Sequence, residues 1–170
     1  MRARFLHRSW TRLPLFTRLR SDSGQHLVEL ALVTPVLLLL LVGMIELGRF
    51  AFLSIVVANA ARTGAAFASQ GLVQSVDTTD IQTAADNDFQ NNGQNVSNLT
   101  VSSSTSCGCD SAGTVTSQSC NGSGAGTCGT GHWVVMVSVT ASGTFNSLFG
   151  YPGLPKSISV SRTSTMRVQQ

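Results

Sequence analysis

The sequence predicts an α+β protein with a long N-terminal helix, first transmembrane and then amphipathic, followed by a small antiparallel-sheet head outside the cytoplasm. Three observations support this prediction. A run without charged residues extends from Leu30 to Ile45, a periodic stretch of apolar and small residues follows it, and short alternating segments separated by turns fill much of the remaining chain. The 170 residues suffice for one domain and not clearly for two.

The positive charge of the chain is concentrated in an N-terminal arm, residues 1–24. Before Gly24 there are six arginines and one acid, whereas from Gln25 onward there are five basic residues and seven acids. A basic arm directly before an apolar run is typical of the cytoplasmic side of a membrane segment. Nucleic-acid binding is the alternative for such an arm. The rest of the chain has no basic patch interleaved with aromatic residues that would favour it.

The apolar run has the length of a membrane span. Gln25 to Ile45 is 21 residues, or about 31 Å of helix at 1.5 Å per residue, which matches the roughly 30 Å hydrocarbon layer. A cleaved secretory signal is the competing interpretation, since Ala58-Asn59-Ala60 has the form of a cleavage site. The run is longer than the apolar part of such signals, and Glu46 and Arg49 lie between it and that site.

The helix is expected to continue to about residue 70 as an amphipathic segment. Apolar and small residues recur there every three or four positions, which predicts one buried stripe. Within the stripe, Ala60, Gly64 and Ala68 form a small-xxx-small series that allows close approach of another backbone. Either partner helices or the protein's own head could pack on this face. Glu46 and Arg49, three residues apart, are expected to pair near the outer membrane boundary.

Residues 71–170 are expected to form the head. The pattern predicts a short helix over 79–90 capped by Thr78 or Thr79, a turn over 91–95 and a strand containing Leu99 and Val101. It predicts a long surface loop over 102–131, a strand from Trp133 to Thr140 and a last strand over 157–168. Three strands and one helix give a sheet with one covered face.

The four cysteines lie in the Ser/Gly-rich segment that is predicted to be a loop. A location outside the cytoplasm makes disulfides chemically reasonable, and a bridge between the two nearest cysteines would close a very tight ring. We therefore expect each of the first two to pair with one of the last two, in either combination; the four are Cys107, Cys109, Cys120 and Cys128. A zinc site is the alternative, but the spacing lacks paired CxxC motifs.

One acidic residue stands inside the predicted membrane helix. A carboxylate in an apolar membrane helix is costly, and this indicates a function for Glu29, although a position near the helix start would also let it reach the interface. Glu29 lies five residues after Gly24, the residue that closes the basic arm. This arrangement resembles the class III signal of type IV prepilins, in which a peptidase cuts after the glycine and a glutamate occupies the fifth mature position.

A longer pattern extends the resemblance. The stretch from Gly24 to Pro35, the leucine run, the segment Gly43–Arg49 and the segment Ala60–Ala66 are similar to the TadE-like family of pseudopilins of the Tad, or Flp, type IV pilus system. The cysteine-bearing segment has no match in that family pattern, and Leu30 stands where an aromatic residue is frequent. The diagnostic part is residues 24–66.

The resemblance implies a pilin-like fold and an assembly role. It implies a minor, non-enzymatic component of a Tad-type pilus assembly and secretion machine in the bacterial inner membrane, cut by a prepilin peptidase between Gly24 and Gln25. Its partners would be the membrane, that peptidase, other pilin-like subunits and Tad assembly proteins, with no cofactor, metal, nucleic acid or small-molecule substrate. Glu29 would pair with an N-terminal ammonium during assembly. An unprocessed, membrane-tethered binding module is the alternative function.

Overall fold

The computed structural model describes residues 23–120, 126–150, 153 and 155–169. The basic arm before Ser23 therefore lies outside the described residues. The chain divides into two compact units, one that ends at Gly43 and one that begins at Met44. Helix α1, Ser23–Ala68, contributes residues to both units.

In the first unit, α1 is apolar and exposed on all sides. Every side chain described between Gly24 and Leu41 is exposed, and none of the other described elements covers this stretch. Pro35 lies within the helix, where it cannot donate a backbone hydrogen bond. The preceding hydroxyl, Thr34 Oγ1, donates to the carbonyl of Leu30 at 2.7 Å, a common accommodation in apolar helices.

The second unit has two layers, with helices packed on one face of an antiparallel sheet. After α1 come α2 (Leu72–Val76), α3 (Thr78–Asn91), a 3-10 turn (Val96–Asn98) and the strands β1 (Leu99–Ser111), β2 (Thr114–Gln118), β3 (His132–Asn146) and β4 (Ser157–Arg167). The strand order is β2-β1-β3-β4, with every neighbouring pair antiparallel.

The core lies between the sheet and the helices. Strand β3 alternates strictly along most of its length, with Val137, Val139 and Ala141 fully buried and the residues between them half-buried. From α3, Ile81, Ala85 and Phe89 complete the same core. The predicted α+β class, long helix and small antiparallel sheet are thus confirmed.

Several local predictions were wrong. The segment 102–131 is not a single long loop, because β1 extends to Ser111 and a hairpin leads into β2. The sheet therefore has four strands instead of three. Helix α3 is capped by Asp77, whose side chain accepts a hydrogen bond from the Asp80 amide at 3.1 Å, and not by Thr78 or Thr79.

The missed hairpin has a two-residue turn. Ser111 pairs with Thr114, so Ala112 and Gly113 form the loop, and both have positive φ values of 53° and 85°. This is the backbone conformation that tight hairpins require. The Asp110 carboxylate accepts the Gly113 amide at 3.1 Å, which stabilises the turn. The flanking strands consist mostly of Ser, Thr, Gly and Cys, so the alternation of large apolar residues that indicates a hairpin is missing.

Candidate functional site

The positions predicted for processing and assembly lie in the first two turns of α1. Gly24, Gln25 and Glu29 are all exposed, and a Cβ built on Gly24 would meet nothing within 4 Å. Among the described residues, the His26 imidazole lies close to Glu29, with Nδ1 3.9 Å from Oε2 and the two side chains 81% and 75% exposed. The carboxylate is therefore available for another partner.

The exposed surface around Glu29 is apolar. Leucines and valines between residues 27 and 41 are 47–73% exposed, and water would solvate such a surface poorly. Among the described residues, α1 is the one helix long and apolar enough to cross a membrane. It fits a single-pass membrane protein anchored near its N-terminus.

The small-residue stripe of α1 is occupied by the chain's own core. Ala60 and Ala68 are completely buried, and a Cβ on Gly64 would lie 3.2 Å from Val139 Cγ1 and 3.5 Å from the Ala85 Cβ. Of the two interpretations left open by the sequence, the geometry therefore favours packing on the protein's own head. Close approach also explains Gly143 on β3, where a Cβ would lie 2.7 Å from Val57 Cγ2.

A polar cluster lies where the second unit begins. Glu46 is buried, with 9% of its surface exposed, and its Oε2 pairs with Arg49 Nη1 at 3.0 Å. The other oxygen, Oε1, accepts the backbone amide of Leu148 at 2.7 Å and lies 3.4 Å from the Ser147 hydroxyl. The predicted Glu46–Arg49 pair is present, and it is part of a larger contact.

Arg49 also contacts the end of β3. Its guanidinium lies over the Phe145 ring, with Cζ 5.4 Å from the centroid, and its Nη2 is 3.5 Å from the Asn146 carbonyl. Phe50 packs edge-on against the same ring at 5.5 Å. Buried carboxylates require partners. The position of Glu46 directly after an apolar run therefore indicated that its carboxylate has partners. No local pattern could identify residues about a hundred positions away.

The cysteines form two disulfides, which link Cys107 to Cys120 and Cys109 to Cys128. This is one of the two combinations that the sequence left open. The first cysteine of each bridge is in β1, and the second lies beyond β2. The bridges therefore connect β1 to two residues, Cys120 and Cys128, that lie between β2 and β3 in the chain.

Helix α3 carries acidic groups with little access to water. Asp86 Oδ1 and Asp88 Oδ2 are buried without a hydrogen-bond partner. Burial raises the pKa of Asp86, and a hydrogen bond with Gln82 opposes that shift in part. Within the described ranges, His, Cys, Asp and Glu residues do not form a group of three or more that could hold a metal ion.

Comparison with known proteins points to α1. The family model described as TadE-like protein matches residues 24–66, a stretch that lies wholly within α1 and stops before the sheet. Searches among curated proteins and among solved structures gave no significant match. The match suggests involvement in the Tad pilus system, whose TadE-like components are structural and not enzymatic. Over residues 24–66, which include Glu29 and the Glu46–Arg49 pair, this chain matches the TadE-like family that the sequence pattern predicted.

Proposed function

We propose that this protein is a pseudopilin, a minor pilin-like component of a Tad-type pilus assembly and secretion system. A prepilin peptidase cuts after Gly24, and the mature subunit begins at Gln25. The mature chain stays in the bacterial inner membrane through α1, with its sheet-bearing head outside the cytoplasm. The observation that carries the proposal is the carboxylate of Glu29, which lies five residues after Gly24, in the apolar and exposed part of α1 and within the TadE-like match.

The accessibility of Gly24 supports cleavage there. A peptidase must bring its catalytic groups against the backbone, and a glycine with no neighbour within 4 Å of its Cβ position permits such an approach. The glycine also separates the basic arm from the apolar helix. Cleavage would then remove the arm and leave the helix embedded.

The electrostatics of the new terminus give Glu29 a role. Cleavage would place an ammonium at Gln25, where the helix N-terminus already carries a partial positive charge. An ammonium there is unfavourable unless an anion compensates it. Glu29 lies four residues further along the helix, on the same face, and can pair with this ammonium or with that of a neighbouring subunit. In low dielectric, a carboxylate left unpaired would be strongly penalised.

Charge and disulfides support the orientation. Six arginines precede Gly24, and basic residues next to a membrane helix favour the cytoplasmic side. Two disulfides in the head suit an oxidising compartment. A reporter that is active only outside the cytoplasm should therefore be active when fused after Gln170, and activity confined to a cytoplasmic reporter would contradict the orientation.

The surface available to partner helices is the exposed face of α1 in the second unit. Phe52 and Ile55 are 50% and 59% exposed, and Ala51 beside them is exposed as well. These side chains lie away from the buried stripe that contains Ala60, Gly64 and Ala68. We therefore assign subunit contacts along α1 to this exposed face.

The processing step is tested with Gly24→Leu. A leucine side chain would obstruct the backbone at the cut, so the variant should keep residues 1–24 and migrate as a protein about 2–3 kDa larger. Gly43→Leu is the matched control, because Gly43 also has no neighbour within 4 Å of its Cβ position. That variant should be processed normally. Mature-size protein from Gly24→Leu would contradict cleavage after Gly24.

The assembly step is tested with Glu29→Val. The substitution removes a costly charge from the apolar helix, so membrane level and cleavage should stay normal while pilus formation and crosslinks to pilin-like partners are lost. Thr34→Val is the control, since it removes a polar group from the same helix without removing a charge. If Glu29→Val assembles normally and Gly24→Leu leaves the size unchanged, an unprocessed tethered binding module replaces the pseudopilin.

A further inference from the structure

An exposed apolar surface lies beside the Glu46 cluster in the second unit. We call it the rim surface and define it by Leu47 of α1, Leu148 and Phe149 after β3, and Ile158 of β4, with Lys156 at its edge. The four apolar residues are 70%, 63%, 47% and 43% exposed. Leu47, Phe149 and Ile158 line an open, mostly apolar groove of about 290 Å³, together with Phe50 and Phe145; Leu148 lies next to this lining in the chain, between Ser147 and Phe149.

The rim surface is held at a defined position along α1. The Leu148 amide donates to Glu46 Oε1 at 2.7 Å, and the Ser147 amide donates to the Lys156 carbonyl at 3.0 Å, which closes the base of the connection between β3 and β4. Leu148 is therefore fixed at the level of Glu46. In the sequence, Glu46 is the first charged residue after the uncharged run Leu30–Ile45, so this level is where a membrane-spanning α1 is expected to leave the hydrocarbon.

The chemistry of the rim surface suits that boundary. The exposed apolar surface of α1 continues into the second unit through Met44 and Ile45, which are 72% and 48% exposed, and the rim surface begins directly after them. Aromatic and aliphatic side chains next to a lysine are the composition found where proteins enter the headgroup region. A lysine keeps its ammonium in the headgroup layer while its aliphatic part lies along apolar atoms.

We propose that the rim surface docks on the lipid surface of the bilayer that α1 crosses, with Leu148 and Phe149 inserted at the outer boundary. The protein is then held to the membrane at two places, by the span and by Leu148 and Phe149 after β3. The Glu46 carboxylate connects the two places, since it lies on α1 and binds the Leu148 amide. This inference rests on the membrane insertion contained in the proposed function and adds a second lipid contact to it.

The experiment uses the full-length, disulfide-bonded protein in vesicles of phosphatidylcholine and phosphatidylglycerol. A nitroxide is attached to a cysteine introduced by Leu148→Cys, and its collision rates with oxygen, which concentrates in lipid, and with a water-soluble nickel chelate are measured. Thr114→Cys is the matched aqueous control. Thr114 lies beyond the opposite end of β3, about 45 Å away at 3.3 Å per residue. Leu37→Cys reports on the apolar part of α1.

The proposal predicts a several-fold higher ratio of oxygen to nickel collisions at residue 148 than at 114, with the highest ratio at 37. If residue 37 lies in lipid but 148 matches 114, the rim docking is wrong and the membrane span stands. If 37 also matches 114, the span fails and the rim docking with it. If 148 is shielded from both reagents and its labels show spin coupling between molecules, a second copy covers the surface, and lipid docking is overturned.

Discussion

The contact between Glu46 and the Leu148 amide predicts a local change in hydrogen exchange. The carboxylate accepts this amide at 2.7 Å from a buried position. A hydrogen bond to a charged group contributes about 1.5–3 kcal/mol, and each 1.4 kcal/mol corresponds to about a factor of ten in an equilibrium constant. Glu46→Ala should therefore lower the protection of the Leu148 amide by roughly 10- to 150-fold.

Two further variants separate the carboxylate's contributions. Glu46→Gln keeps an oxygen that can accept the Leu148 amide. Because neutral hydrogen bonds contribute about 0.5–1.5 kcal/mol, the exchange protection of this amide should fall only about tenfold or less in this variant. Arg49→Met removes the salt bridge, whose arginine is 40% exposed. The carboxylate that accepts the Leu148 amide stays in place, so this amide should be affected least in this variant.

Amide exchange followed by mass spectrometry, with peptides that cover residues 144–150, measures these differences. Amides in the middle of β3, such as that of Val139, serve as the internal reference, because they lie in the sheet and should not respond. The reasoning is refuted if the Leu148 amide exchanges equally fast in the wild type and in Glu46→Ala. It is also refuted if the whole of β3 loses protection together, since the contact would then support global stability and not the local connection.

Four other measurements test the packing, the bridges and the charges. Phe89→Ala, at a fully buried ring, should lower the free energy of unfolding by about 3–5 kcal/mol, whereas Phe52→Ala, at a half-exposed one, should lower it by less than about 1 kcal/mol. Gly64→Leu should lower the free energy of unfolding by about 1–3 kcal/mol through overpacking. Ala66→Leu, at an exposed position of the same helix, should leave the free energy of unfolding unchanged. Alkylation of the unreduced protein should label no cysteine, and all four should react after reduction. The pKa of Asp86 is raised in the folded state. The contribution of Asp86 to the free energy of unfolding should therefore decrease as the pH rises from the ordinary pKa of an aspartate through the raised one. Urea unfolding at pH values across this range should show the decrease in the wild type and not in Asp86→Asn.

The sequence was sufficient for features that depend on local composition. The candidate membrane span in α1 follows from the uncharged run Leu30–Ile45 and the residues from Gln25 that precede it, since a membrane helix requires about 20 predominantly apolar residues. The stripe at Ala60 and Gly64 follows from helical periodicity, and β3 follows from alternation along its valines. The TadE-like resemblance also depends on a short linear pattern around Gly24 and Glu29, and the match to residues 24–66 confirms it.

Only the tertiary structure decided which surfaces meet. The small residues at Ala60 and Gly64 have the same pattern whether they face a partner helix or the protein's own sheet, and only the packing of Val139 against Gly64 favours the second. The chain around Cys107 and Cys109 has no apolar alternation. It is a strand because its backbone pairs with β3 and its two bridges connect it to the following segment. Glu46 and Leu148 lie 102 positions apart, so the sequence could show that the carboxylate needs a partner but not which amide supplies it.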